Sequence, residues 1–160
     1  MRVYNRLTGQ TAIHYWGSFR MLAVKHRELA GAASYTGAMN LTLPGSPESV
    51  SIARHAVSDV ARESGADVDN VATAVTEAVG NAVLHGCARL DSDTCVRVEV
   101  GRDDHDLVVS VADDGPGLMP SLERAGIGAG LALIGAMADE VTYESSGRGL
   151  RVTMRFPCQN

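Results

Sequence analysis

The stretch TEAVGNAVLHG, residues 76–86, sets an acid, an amide and an imidazole at intervals of four: Glu77, Asn81 and His85. On a helix, steps of four residues drift by only about 40°, so the three side chains share a stripe about 80° wide. The first two suit phosphate chemistry. Asn81 offers a neutral oxygen to a hard cation such as Mg²⁺, which keeps several waters and bridges substrate phosphates. Glu77, one turn earlier, is placed to act as a base on an attacking hydroxyl or water near that metal. A solvated helix face is the plainer reading of the same residues, and for His85 the preferred reading is a hydrogen-bonded structural residue near the helix end. Gly80 costs the helix about 1 kcal/mol against Ala, which points to a close neighbour at that position.

Two glycine-rich stretches follow. Asp113-Asp114-Gly115-Pro116-Gly117 stands at the end of an apolar run, where two glycines around a proline allow a tight exposed turn and a carboxylate is free to accept from a ligand amine. Taken alone it is merely a turn. Gly126-Ile127-Gly128-Ala129-Gly130 precedes an apolar helix from Leu131 to Met137. Glycines at a helix start let a phosphate approach the unpaired amides, and the helix dipole favours the negative charge. The preceding PSLERA is no strand, which argues against a dinucleotide-binding fold, and close packing of small residues is the alternative for Gly130 and Gly135.

The elements that must position these residues read in order from Met39. Leu41 and Leu43 alternate as a short strand that Pro44-Gly45 ends. Ser46 and Pro47 form a helix start, with the Ser oxygen expected to accept from first-turn amides. Val50, Ala53, Val57 and Val60 give that helix an apolar face, and Gly65 ends it. The helix of Glu77 and Asn81 runs from Asp67 or Asn70 to Leu84, with Val71, Val75, Ala78 and Ala82 as its buried stripe and Gly86 as its stop. Val96, Val98 and Val100, then Leu107, Val109 and Val111, predict an antiparallel hairpin with one buried face. Val141 to Glu144 and Val152 to Phe156 flank SSGRG as a closing hairpin. The economical packing is an α+β, two-layer sandwich with helices on one face of a mixed, mostly antiparallel sheet.

Bulk properties set limits on function. The chain has 160 residues and a formal net charge of -5, with Lys and Arg scattered, which argues against a nucleic-acid surface. No apolar run approaches the length of a membrane span or signal peptide. Cys87, Cys95 and Cys158 are odd in number and lack CxxC spacing, which suggests a reducing cytoplasm and no structural zinc. Residues 1–38 differ in texture, with Tyr4, Tyr15 and Trp16 in no clear period. They read as a loosely attached extension, or as the result of a start assigned too early, before a domain of residues 39–158.

The order E-x-x-x-N-A-x-x-H-G, then D-x-G-x-G after a hairpin, then G-x-G at a helix start resembles the Bergerat ATP-binding fold of the GHKL superfamily, over about Met39 to Cys158. The chain's size, VTEAVGNAVLHG, DDGPGL and ERAGIGAGLALI make it similar to the anti-sigma-factor serine kinase branch. The resemblance implies ATP with Mg²⁺, a sigma factor as partner, and phosphorylation of serine on a STAS-type antagonist protein; the branch also implies homodimers. It assigns Asn81 to Mg²⁺, Glu77 as general base, and Asp113 as acceptor of the adenine amino group. Gly115 and Gly117 would shape the pocket floor, and Gly126, Ile127, Gly128, Ala129 and Gly130 would cradle phosphates. Arg124 matches an arginine placed to reach the terminal phosphate, and its guanidinium suits phosphate oxygens.

Two departures from the branch are visible. Only Leu118 to Ala125 separate Gly117 from Gly126, a shorter lid than many kinase members carry. After Gly149, where a hydroxyl often helps hold adenine through water, stands Leu150, with Thr153 nearby. The rival reading is a nucleotide-gated module that sequesters a partner without phosphorylating it. The catalytic half of a histidine kinase is a poorer match.

Overall fold

The computed structural model describes residues 2–5, 10–13, 36–87, 95–103, 105–116, 127–146 and 149–159. Two short strands, β1 (Arg2–Asn5) and β2 (Gln10–Ile13), pair with each other. The main body follows as β3 (Thr36–Leu43), α1 (Pro47–Ser64), α2 (Val68–Asn81), β4 (Val96–Asp103), β5 (Asp106–Asp113), α3 (Ile127–Met137), β6 (Glu140–Ser146) and β7 (Gly149–Pro157). β3 begins at Thr36, upstream of the boundary drawn at Met39. No helix among the described residues is long and apolar enough to cross a membrane.

Five strands form one sheet in the order β3-β4-β5-β7-β6, and every pairing is antiparallel. The valine runs set its register. Val98 stands opposite Val111 and Val111 opposite Val152, so like residues line one face across three strands. That face carries Val96, Val98, Leu107, Val109, Met154 and Phe156, all buried, and the helices pack over it. On the opposite face long side chains pair. Arg151 reaches Glu99 and Ser110, and Arg155 reaches Asp103, Asp106 and Glu140. The hairpin was expected to bury one face, yet Val108, Ser110 and Ala112 of β5 are buried too. β5 is central in the sheet, and arginine stems lying across its outer face exclude water there.

The helices form largely where periodicity placed them, with local corrections. Ala53, Val57 and Ala61 of α1 are fully buried, and Val50 and Val60 are partly so. Ser46 precedes α1 in extended conformation, but its side chain caps no first-turn amide. Its carbonyl accepts from the Ser49 amide, while the Glu48 carboxylate is held below the usual range first by its own backbone amide and then by the Ser46 hydroxyl. α2 is capped by Asp67, whose Oδ1 accepts from the Asn70 amide at 3.0 Å. Its α-helical part ends at Asn81 rather than Leu84 and continues as a π-helical turn, Ala82–Gly86, closed by the Cys87 amide on the Ala82 carbonyl at 2.9 Å. Such wide turns recur at functional sites.

The end of α1 tests the backbone argument. Gly65 has φ +78°, and a Cβ there would stand 2.6 Å from the Gln159 carbonyl oxygen. Because both the dihedral and a backbone atom resist a side chain, Gly65→Ala is expected to lose at least about 1–2 kcal/mol. Urea denaturation measures it, and a change within about 0.5 kcal/mol, typical of neutral surface positions, would remove this account of the helix end.

Candidate functional site

α2 carries the polar line, and α3 packs directly against it. A Cβ built on Gly130 would lie 2.8 Å from Glu77 Oε2, 3.1 Å from Asn81 Nδ2 and 3.6 Å from Asn81 Oδ1. Three polar atoms of α2 therefore converge on one point of the facing helix, and glycine is what lets the two backbones come so near. The close neighbour expected at Gly80 is absent, since nothing stands within 4 Å of a Cβ at that position. The tight glycine is on the partner helix instead.

α3 starts at Ile127, so Gly128, Ala129 and Gly130 belong to its first turn rather than to a loop ahead of Leu131. The amides of residues 127–129 precede the first internal bond of the helix, and Gly130 in the same turn stands beside Glu77 and Asn81. Leu131 and Ile134, on the same side of α3 as Gly130, are buried, as is Ala138 just beyond the helix, while Gly135 is exposed. The Tyr143 hydroxyl of β6 bonds the Leu131 carbonyl at 3.4 Å, and burial pushes its pKa up.

The second half of the site lies at the far end of the same helix. Asp113 closes β5 on the helix-covered face and is buried. Its Oδ1 accepts from the Gly115 amide at 2.9 Å, and the Leu150 amide also donates to it. Burial raises its pKa above the ordinary value, while those two amides pull it back down. Asp114 points away and forms a two-pronged pair with Arg97 at 2.6 and 2.7 Å, which holds its carboxyl below the usual range. Adjacent carboxylates are thus separated into a buried acceptor facing the helices and a half-exposed anchor that fixes the loop from outside.

Gly86, at the end of the π-helical turn, presses on this acceptor. A Cβ there would fall 2.5 Å from Asp113 Oδ1, and one on Gly115 would fall 2.5 Å from the Gly86 Cα. Gly149, at φ +135°, runs against the Asp113 carbonyl. Sequence spacing marked Gly86 only as a helix stop, and its following position, Cys87, gave no sign of what it does. Cys87 is joined to Cys95 by a disulfide, which removes the argument for a reducing cytoplasm drawn from the number and spacing of the cysteines. Among the described cysteines only Cys158 is free. The pair was hidden because Cys87 follows α2 and Cys95 precedes β4, and only the fold brings those two ends together.

Gly117, Arg124 and Gly126 lie outside the described residues. Ile127, Gly128, Ala129 and Gly130 sit at the α3 start, and Glu77, Asn81, Asp113 and Gly115 are held along α2 and its extension as above. His85 is half-buried in the π-helical turn, and its imidazole makes no hydrogen bond among the described residues, which corrects the hydrogen-bonded place expected for it. Thr153 is on the outer face, 3.4 Å from the Ser110 hydroxyl, so it does not replace the missing hydroxyl at Leu150, which lies on the helix-covered face with Val152 two residues on.

Do these residues fit a nucleotide and its cation? Asn81 Nδ2 is a buried donor with no partner among the described residues, a costly state unless a ligand or water completes it. A half-turn of the amide exchanges nitrogen for oxygen, so the same position serves a phosphate oxygen or a hard cation. The fit is good.

Comparison with known proteins gives the class of domain that carries this site. Residues 43–156 match the family described as histidine kinase-like ATPase domain. An anti-sigma F factor of Clostridium botulinum strain Eklund 17B is 28% identical over 138 residues, covering 76% of this chain and 94% of that protein. One from Clostridium novyi strain NT is 30% identical over 103 residues, covering 56% and 70%. A crystal structure of the RsbU and RsbW domains of a Mycobacterium tuberculosis protein aligns with a TM-score of 0.61 at 24% identity over 78% of this chain; the chain spans 34% of that one, and the likeness is one of fold. The chain belongs to the histidine kinase-like ATPase (GHKL) family, in its anti-sigma-factor kinase branch.

Two consequences are measurable. Gly130→Ala is expected to keep the fold, because the Glu77 carboxylate can swing aside, but to weaken Mg·ATP binding by displacing Glu77 and Asn81, whereas Gly80→Ala gains up to about 1 kcal/mol of stability; calorimetric titration and thermal melts separate the two. For Asp113, a folded pKa raised above 3.8 means that its contribution is favourable at low pH and is lost as pH rises through the folded value. Wild-type stability relative to Asp113→Asn should therefore increase as pH falls from 7 toward 4, read from urea melts at stepped pH.

Proposed function

We propose that this chain is an ATP-dependent protein serine/threonine kinase of the anti-sigma-factor kind, which binds a sigma factor and phosphorylates a serine on a STAS-type antagonist. The observation that carries the reading is the meeting of Glu77 and Asn81 with Gly130 at the start of α3, with the buried Asp113 held against Gly86, five residues after Asn81. A ligand with an amino-bearing base at one end and phosphates at the other suits such a site. We place the activity in the cytoplasm, where ATP and sigma factors are found.

In this reading Asp113 accepts from the adenine amino group, with Gly115 leaving room for the ring. The first-turn amides of α3 receive phosphate oxygens. Asn81 holds Mg²⁺, which when bound neutralises charge on the phosphates. Glu77 takes the proton of the antagonist's serine hydroxyl as its oxygen bonds the terminal phosphorus; the bond to the bridging oxygen breaks and ADP leaves. Arg124 supplies a cation to the transferred group. Positioning and charge supply nearly all that this reaction requires of a protein.

The eight-residue stretch Leu118 to Ala125 favours a second reading, a nucleotide-gated module that holds a partner without turnover. Substitution separates the two. Asn81→Ala is expected to lose Mg·ATP binding, and Glu77→Gln to keep binding while losing transfer by at least about a hundredfold. The assay isolates partners bound by tagged wild-type protein and by Glu77→Gln, and maps phosphoserine by mass spectrometry. Phosphate on the partner at the wild-type rate with Glu77→Gln would displace Glu77 as base; partners bound without any Glu77-dependent phosphate would establish the module.

A further inference from the structure

We propose that Cys87 and Cys95 are a reversible redox couple that sets nucleotide affinity, the disulfide form binding more tightly; the inference rests on the nucleotide reading of the site. The bond joins the residue after the π-helical turn to the residue before β4. Its position is mechanical. Cys87 follows Gly86, which bears on the Asp113 carboxyl and on Gly115. On its other side the Cys87 Cβ would stand 2.5 Å from any Cβ at Gly45, so the turn after β3 leaves it no room to retreat. Cys95 is held in turn by its amide on the Leu43 carbonyl at 3.0 Å. Both cysteines are buried, at 6% and 1% exposure.

Reduction by a dithiol transfers two electrons and two protons. The sulfur–sulfur bond breaks, two thiols form, and the dithiol becomes a disulfide. Two unbonded sulfurs need more space than a bonded pair. With the Gly45 side closed, the displacement is passed to Gly86 and thence to Asp113, the acceptor for the base. That displacement weakens the reduced form. By linkage, nucleotide must then favour the disulfide by the same factor. In the cytoplasm proposed above, disulfides of ordinary organisms are transient or redox-sensing rather than permanent.

The test titrates Mg·ADP by calorimetry into the intact chain as the disulfide, into the same chain reduced by dithiothreitol, and into the Cys87→Ser/Cys95→Ser double variant, with circular dichroism reporting the fold. The expected result is a Kd roughly 5-fold or more weaker on reduction, a double variant matching the reduced form with or without reductant, and a thiol–disulfide ratio moved toward disulfide when Mg·ADP is added to a dithiol buffer. Should the double variant fail to fold, the reductant titration of the wild-type chain decides. Equal Kd values in both redox forms overturn the redox couple and leave the nucleotide site standing. Absence of ADP binding in either form overturns both. Three titratable thiols before any reductant, or loss of the fold on reduction, also overturn the proposal, the latter because the bond is then structural.

Discussion

Helix α2 can serve a ligand because glycines let α3 and the end of β5 come close to it. Gly130 of α3 approaches its middle, beside Glu77 and Asn81, and Gly115 after β5 approaches its extension at Gly86. A side chain at Gly115 would meet the Gly86 backbone, and one at Gly130 would displace the Glu77 and Asn81 side chains themselves. The apolar stripe of Val71, Val75, Ala78 and Ala82 seats the helix on the sheet, and with that face committed to the core the polar edge is turned toward α3. One rod thus spans both ends of the candidate site, and its distance between phosphate end and base end is that of a rigid element rather than a loop.

The electrostatics follow the same geometry. Asp113 and Asp114 are neighbours in sequence but their environments drive their protonation in opposite directions, one by burial and one by a guanidinium. The Arg97–Asp114 pair is about 40% and 45% exposed on its two side chains, so it contributes little to stability by itself. Its consequence is positional: it draws Asp114 to the outer face and leaves Asp113 to the inner one. The remaining outer-face pairs around Arg151 and Arg155 cover β5 and let a strand with an alternating pattern be buried on both sides.

The wide turn after Asn81 joins these two halves. An α-helical continuation would follow the ordinary i to i+4 bonding, whereas the Cys87 amide reaches the Ala82 carbonyl five residues back. That extra residue delivers Gly86 to Asp113 and Cys87 to Cys95 together. Proximity of a covalent cross-link to a pocket wall is therefore a result of how the helix ends, and it couples sulfur chemistry to the acceptor carboxylate through two peptide units.

The sequence by itself determined the elements and the order of the chemical groups along them. Valine alternation specified β4, β5 and β7, apolar periodicity specified α1 and α2, Gly65 marked a helix end, and the spacing of Glu77 and Asn81 put both on one line. These are legible because each depends on a local period or a local dihedral. What only the tertiary structure decided is which residues meet across elements. The tight glycine is Gly130 and not Gly80; Leu150 and Thr153 fall on opposite faces; Ser46 bonds Glu48 instead of capping; Cys87 finds Cys95. Each of these outcomes is set by strand register, helix packing or the path of a turn. Those are through-space relations, and a spacing along the chain carries no term for the partner on the other side of the gap.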